Sequence, residues 1–219
     1  MSPKGLHLYL ISQALLLGLI EAGKCIGCNG RTLQVLMYTA IVINTIMAAH
    51  RFCQSGADRA KHSDKYVACA LFATAAADYF LTLIGNHAAF LPGVILFCCV
   101  QILYALYLGS TMKLLLLRIA LFAVCLMFLN RAGMLTPVNA MGILDLNILL
   151  INTIIAWTAA SAKTPLLFRI GITLFLCCDL SVALVNLTAG SVRNVSDFLI
   201  WIFYIPSQAA ITLSYLLSH

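Results

Sequence analysis

The sequence predicts an all-α polytopic membrane protein: eight transmembrane helices in two similar four-helix halves, with both termini cytoplasmic. Three observations carry that expectation. Of 219 residues, 63% are hydrophobic and only 9% are Asp, Glu, Lys or Arg, where a soluble domain carries about 25% charged residues. The apolar residues collect in windows about as long as the roughly 20 residues that cross a bilayer, and the chain has room for eight of them. Acids then recur at matching depth in the third and seventh windows. So few charges cannot cover a water-facing surface, which excludes a soluble globular protein and a disordered chain. The net charge of +6 is scattered between apolar runs, so no nucleic-acid partner is expected.

The breakers between windows set the spans, at about residues 6–22, 32–49, 65–84, 88–108, 113–129, 138–160, 165–187 and 197–217, together a single transmembrane domain over 1–219. The first ends at Gly23-Lys24, and Asn29-Gly30 marks the turn before the second. Gly85-Asn86 closes the third, and Gly109 follows the fourth, which has Pro92 in its first turn. Pro137 precedes the sixth, and Pro165 opens the seventh at a position suited to proline. The first span reads as a retained helix rather than a cleaved leader, because Glu21 and Lys24 stand where small residues would mark a cleavage site.

Orientation follows from the Lys and Arg count on the two sides. A cytoplasmic N terminus puts Lys4, Arg51, Arg59, Lys61, Lys65, Lys113, Arg118, Lys163 and Arg169 inside, and leaves Lys24, Arg31, Arg131 and Arg193 outside. Nine against four favours that arrangement. The segment around residues 51–64 is then a cytoplasmic loop, too small to be a domain. Short termini and lean loops point to a bacterial plasma membrane rather than a eukaryotic endomembrane. The sequons at Asn186 and Asn194 fall near the outer side, though such triplets are common by chance. Most of the nine cysteines lie inside spans as small hydrophobes. Cys25 and Cys28 form a C-x-x-C pair with no second pair to complete a zinc site, so no metal or other cofactor is expected. Nothing in the sequence sets an oligomeric state.

Ionisable groups in hydrocarbon are expensive and mark functional sites by default. Asp78, Asp145 and Asp179 lie well inside spans, three of the seven acids. Asp78 and Asp179 each sit about 13–14 residues into an outward-running helix, or roughly 20 Å at 1.5 Å per residue, and Asp145 reaches a similar level. The three are expected to share one polar pocket. Thr74, Asp78 and Thr82 are spaced by four and fall on one helical face, beside the small run Ala75-Ala76-Ala77. Phe90, Gly93, Phe97, Gln101 and Tyr104 form a stripe on the fourth span. Trp201, Tyr204, Gln208 and Thr212 form another on the eighth, where Pro206 removes a backbone hydrogen bond. A lone Thr or Gln in a membrane is more often interhelical glue, and an aromatic stripe is more often packing. Asp145 has Asn147 and Asn152 nearby to satisfy it locally. A purely structural role is the weaker reading only for the depth-matched pair. The five histidines fall at helix ends, loops or termini, which argues against a zinc hydrolase. No Gly-x-Ser-x-Gly elbow is present.

Taken in order, Asp78 followed by Phe90-x-x-Gly93-x-x-x-Phe97-x-x-x-Gln101-x-x-Tyr104, then Asp179 within Phe175-Leu176-Cys177-Cys178-Asp179-Leu180-Ser181, then Tyr204-x-x-x-Gln208, resembles the YhhN family. The spacing fits over about residues 71–215. Thr32-Leu33 after Arg31, and the stretch from Asp145 to Asn147, depart from the family pattern. The resemblance implies a lysoplasmalogenase, which hydrolyses the vinyl ether bond of a lysoplasmalogen to a fatty aldehyde and a glycerophospho-ethanolamine or -choline, with no cofactor. Vinyl ethers react by protonation at the β-carbon, giving an oxocarbenium-like ion that water captures. This needs one protonated acid and one carboxylate, a division that burial and mutual repulsion of two acids favour. Asp78 and Asp179 are the expected catalytic pair, with the division of roles between them open. Thr74, Gln101, Tyr104, Asp145, Tyr204 and Gln208 are the expected supporting residues. The expected partners are the lysophospholipid substrate and membrane lipid. A small proton-coupled transporter with the same intramembrane acids is the alternative, and a lipid-binding scaffold is a third reading.

Overall fold

A computed structural model describes residues 3–55, 62–158, 164–188 and 190–217. They form eight helices, each long and apolar enough to cross a membrane, and no strand occurs among the described residues. These are α1 (Pro3–Cys25), α2 (Gly30–Ser55), α3 (His62–Asp78) with a π-helical continuation (Tyr79–Ile84), α4 (His87–Tyr107), α5 (Met112–Arg131), α6 (Pro137–Trp157), α7 (Leu166–Leu187) and α8 (Gly190–Leu216). α8 starts seven residues before the apolar window does, because its first two turns carry polar residues that still form helix. Arg59, Lys61 and Lys163 of the charge count, and the expected end of the sixth span at residue 160, lie outside the described residues.

The helices divide into two compact units, one of Met1–Arg51 with Pro165–His219 and one of Phe52–Thr164. The first therefore takes the two opening and two closing helices, and the second takes α3 to α6. This grouping differs from the consecutive halves expected from the sequence. Apolar periodicity gives each helix a face but says nothing about which helix covers it.

In the first unit, α7 packs along α8, and a glycine sets their approach. A Cβ on Gly171 would lie 2.6 Å from Ile211 Cγ1 and 3.0 Å from both Ile211 N and the Ser207 carbonyl. Only a residue without a side chain fits there. α1 and α2 join α8 through a cluster of Ile20, Met37, Ala40 and Ile205, and through a second one of Tyr9, Ala209 and Leu213. Polar stitches run between α1 and α2: Tyr9 donates to Asn44 Oδ1, and Gln13 Nε2 donates to the Ala40 carbonyl at 3.1 Å. At one end, Lys24 Nζ lies 3.6 Å from Glu21 Oε1 and 3.9 Å from Asp197 Oδ2, tying α1 to α8.

In the second unit, α4 packs against α3 and its π-helical turn, and also against α6; α5 packs on α6. Asn86 caps α4 by accepting from the Ala89 amide at 2.8 Å, and Thr136 caps α6 by accepting from the Asn139 amide at 3.1 Å. Gly93 fits α4 against α3: a Cβ there would stand 2.6 Å from Leu81 Cγ and 3.3 Å from the Ala77 carbonyl. α5 exposes Leu115, Leu116 and Leu117 together with Met127 and Phe128, as a helix facing lipid does.

The α7–α8 contact yields a direct test. Gly171→Ala lowers stability by about 1–3 kcal/mol through overpacking, read as a fall in the thermal midpoint in detergent. Gly18→Ala, where nothing lies within 4 Å of the added Cβ, does not lower the midpoint, because alanine is the better helix former.

Candidate functional site

The expected site residues fall in both units, and each set is described within its own unit. Asp78, Asp145, Thr74, Gln101 and Tyr104 belong to the second unit, and Asp179, Tyr204 and Gln208 to the first.

Asp78 is buried, with 4% of its surface exposed. It is the last residue of α3 before the backbone widens into the π-helical turn, whose closing bond runs from the Gly85 amide to the Phe80 carbonyl at 3.1 Å. Single π-helical turns inside helices occur frequently at functional sites. This one alters a sequence expectation. Four-residue spacing puts Thr74 and Asp78 on one face, but the wider turn beyond Asp78 takes Thr82 out of that register, and Thr82 is only half-buried. Thr74 lies one turn before Asp78, buried, and returns its hydroxyl to the Ala70 carbonyl at 2.9 Å. The hydroxyl of Tyr104, itself fully buried, meets Thr74 from α4.

The stripe on α4 resolves into two classes. Gly93, Gln101 and Tyr104 face inward, Phe97 is half-buried, and Phe90 is exposed on the outer surface. Gln101 is the unusual member. It is fully buried, yet neither Nε2 nor Oε1 has a hydrogen-bond partner among the described residues. An unpaired buried amide is costly, which sets Gln101 apart from the partnered amides of Asn147 and Asn152.

Asp145 is buried in α6 with Asn147 and Asn152. The two asparagines reach other helices. Asn147 Nδ2 donates to the Arg118 carbonyl at 2.7 Å, and Asn152 Nδ2 donates to the Gln101 carbonyl at 2.8 Å. Arg118 in turn gives Nη2 to Asn152 Oδ1 and Nη1 to Ser110 Oγ, both at 2.7 Å. The orientation count took Arg118, inside the fifth span, as a charge of the cytoplasmic side. In the structure it is the one buried residue of α5 among those described. A basic residue six positions into a span usually extends its head to the interface. Only the opposing asparagine on α6, invisible without knowing which helices pack, would have marked it.

In the first unit, Asp179 is half-buried on α7. Phe175, one turn earlier, meets Tyr204 edge-on at a centroid distance of 5.7 Å, and Trp201 meets the same ring at 5.5 Å. The aromatic members of the α8 stripe thus hold one another. Gln208, one turn beyond Tyr204, repeats the condition of Gln101: fully buried, with neither amide atom partnered. The neighbouring Ser207 hydroxyl is also buried and unpartnered. Each unit therefore carries a membrane-embedded aspartate, a tyrosine and an unpaired glutamine.

A family model described as the YhhN family matches residues 32–215, which covers most of the chain, and the protein belongs to that family. No curated protein and no solved structure matches the chain.

The unpaired amides lead to an expectation opposite to that for ordinary core residues. Gln101→Leu and Gln208→Leu each raise stability by about 1 kcal/mol, because an apolar group of similar size removes an unsatisfied polar one. The thermal midpoint in detergent reads this. A fall of several degrees in both variants would show that the amides are structural.

Proposed function

From membership of the YhhN family, we propose that the protein is a membrane-embedded lysoplasmalogenase, hydrolysing the vinyl ether bond of a single-chain ether lipid to a fatty aldehyde and a glycerophospho-ethanolamine or -choline. The observation that carries the proposal is Asp78: a carboxyl group buried inside a membrane span, at the start of a π-helical turn. Hydrocarbon tolerates such a group when it is put to use.

The chemistry suits the residue types. Protonation of the vinyl β-carbon needs a carboxylic acid that keeps its proton near neutral pH, and burial favours the neutral form of an aspartate. The oxocarbenium-like ion that results is stabilised by a carboxylate, which also takes a proton from the water that attacks it. That water adds to the α-carbon to give a hemiacetal, and the hemiacetal collapses to aldehyde and glycerol hydroxyl. The proposal assigns the acid and base roles to Asp78 and Asp179. Gln101, Tyr104, Tyr204, Gln208, Thr74 and Asp145 are assigned to hydrogen bonds with water, the acids and the ether oxygen. The unpaired amides of Gln101 and Gln208 have donors and acceptors to spare for this. No step requires a metal or an organic cofactor.

The test is aldehyde release from lysoplasmalogen by the purified protein in detergent. Wild type releases aldehyde, and Asp78→Asn and Asp179→Asn each lose at least about 100-fold, the scale of general acid–base catalysis, while keeping the wild-type thermal midpoint. Silence of wild type on both choline and ethanolamine forms would favour proton-coupled transport. Activity surviving in both variants would keep the enzyme and remove this acid pair.

A further inference from the structure

The one buried residue among those described in α5 is its arginine. Arg118 is 6% exposed, on a helix whose other described side chains are all half-buried or exposed. Its guanidinium carries five N–H donors. Nη1 binds Ser110 Oγ and Nη2 binds Asn152 Oδ1, both at 2.7 Å, and Nε has no partner among the described residues. Both acceptors are neutral. No described carboxylate forms an ion pair with Arg118, whose hydrogen bonds go to Ser110 and Asn152.

A buried charge is ordinarily paired with an opposite one. Arg118 has instead a frame of neutral acceptors that fixes its plane and leaves the charge uncompensated. Asn152 is itself fixed, because its Nδ2 binds the Gln101 carbonyl of α4. The backbone around Arg118 is held as well, by Asn147. Three helices thus hold one guanidinium in place without neutralising it. Planar, fork-shaped guanidinium is the side chain best matched to phosphate oxygens.

We propose that Arg118, framed by Ser110 and Asn152, is the receptor for a phosphate-type oxyanion, and that the oxyanion is the headgroup phosphate of the single-chain ether lipid. The identity of the lipid rests on the function proposed above; the oxyanion site does not. Ser110 is half-buried in the turn between α4 and α5, and its bond to Nη1 places the guanidinium near that end of the unit. Along α6, Asn152 stands seven residues from Asp145, roughly 10 Å at 1.5 Å per residue. That offset is on the scale of an extended glycerophosphate arm. A phosphate held at Arg118 leaves the ether bond deeper in the unit, at the level of the buried acids. The competing account is a clamp that only fastens α5 to α6.

The experiment compares three ligands on the purified full-length chain in non-ionic detergent: a non-hydrolysable 1-O-alkyl lysophosphoethanolamine, the matching 1-O-alkylglycerol without phosphate, and inorganic phosphate. Wild type is expected to bind the phosphate-bearing lipid at least tenfold more tightly than the alkylglycerol. Arg118→Gln removes that advantage, and Arg118→Lys, which keeps the charge without the fork, restores part of it. Equal affinity of wild type for the two lipids would overturn the proposal, and this comparison needs no variant to fold. An equal loss of both lipids in Arg118→Gln would make the residue a clamp. Inorganic phosphate binding as tightly as the lysolipid would overturn the headgroup assignment. Phosphate-selective binding without aldehyde release would leave this site standing while the hydrolase reading falls, so the two failures are distinguishable.

Discussion

Hydrocarbon offers no hydrogen bonds, and the rest of this structure depends on that one constraint. Helices satisfy their own backbones, so the polar side chains inside the spans must find partners in the protein or be completed by something that enters it. Most of them find partners. Asn147 and Asn152 give their amide hydrogens to carbonyls on α5 and α4, and Gln13 does the same between α1 and α2. These bonds fasten helices where apolar contact alone gives little preference over lipid. Gln101 and Gln208 do not conform: both amides are buried with no partner among the described residues.

The two units solve helix association in different ways. In the first, α7 and α8 approach through a missing side chain at Gly171, and aromatic edges at Phe175, Trp201 and Tyr204 fill the neighbouring turns. In the second, glycine at position 93 brings α4 to α3, while α4, α5 and α6 are joined by an amide and guanidinium relay. The π-helical turn belongs to the same economy of space. It widens the helix directly beyond Asp78, at a depth where a straight α-helix would have carried Thr82 onto the same face.

The eight spans were legible because apolar length is a local property. So were the buried acids, since the cost of an aspartate in hydrocarbon makes it stand out within an apolar window. Gln101 and Gln208 were legible as members of stripes, although their lack of partners was not. What the sequence concealed depends on pairing or on helix type. Phe90 has the spacing of an inward residue and faces outward, because the stripe on α4 is narrower than its periodicity suggests. Thr82 was placed by a 3.6-residue period that the backbone abandons at Tyr79. Arg118 counted as a charge of the cytoplasmic side because nothing local distinguishes a snorkelling arginine from a sequestered one. The grouping of α1 and α2 with α7 and α8 lies equally beyond hydropathy.

Arg118 also bears on how the chain enters the bilayer during synthesis. Its span is the most apolar of the eight, which offsets the cost of up to about 3 kcal/mol that translocation assigns to an arginine. Ser110 precedes α5 and is made first, but Asn152 emerges only when α6 is almost complete. Until then the guanidinium lacks half of its frame, and the Arg118 carbonyl lacks the amide of Asn147. α5 and α6 therefore reach their final hydrogen bonding as a hairpin, and the second arm of that hairpin completes the burial of the first arm's charge.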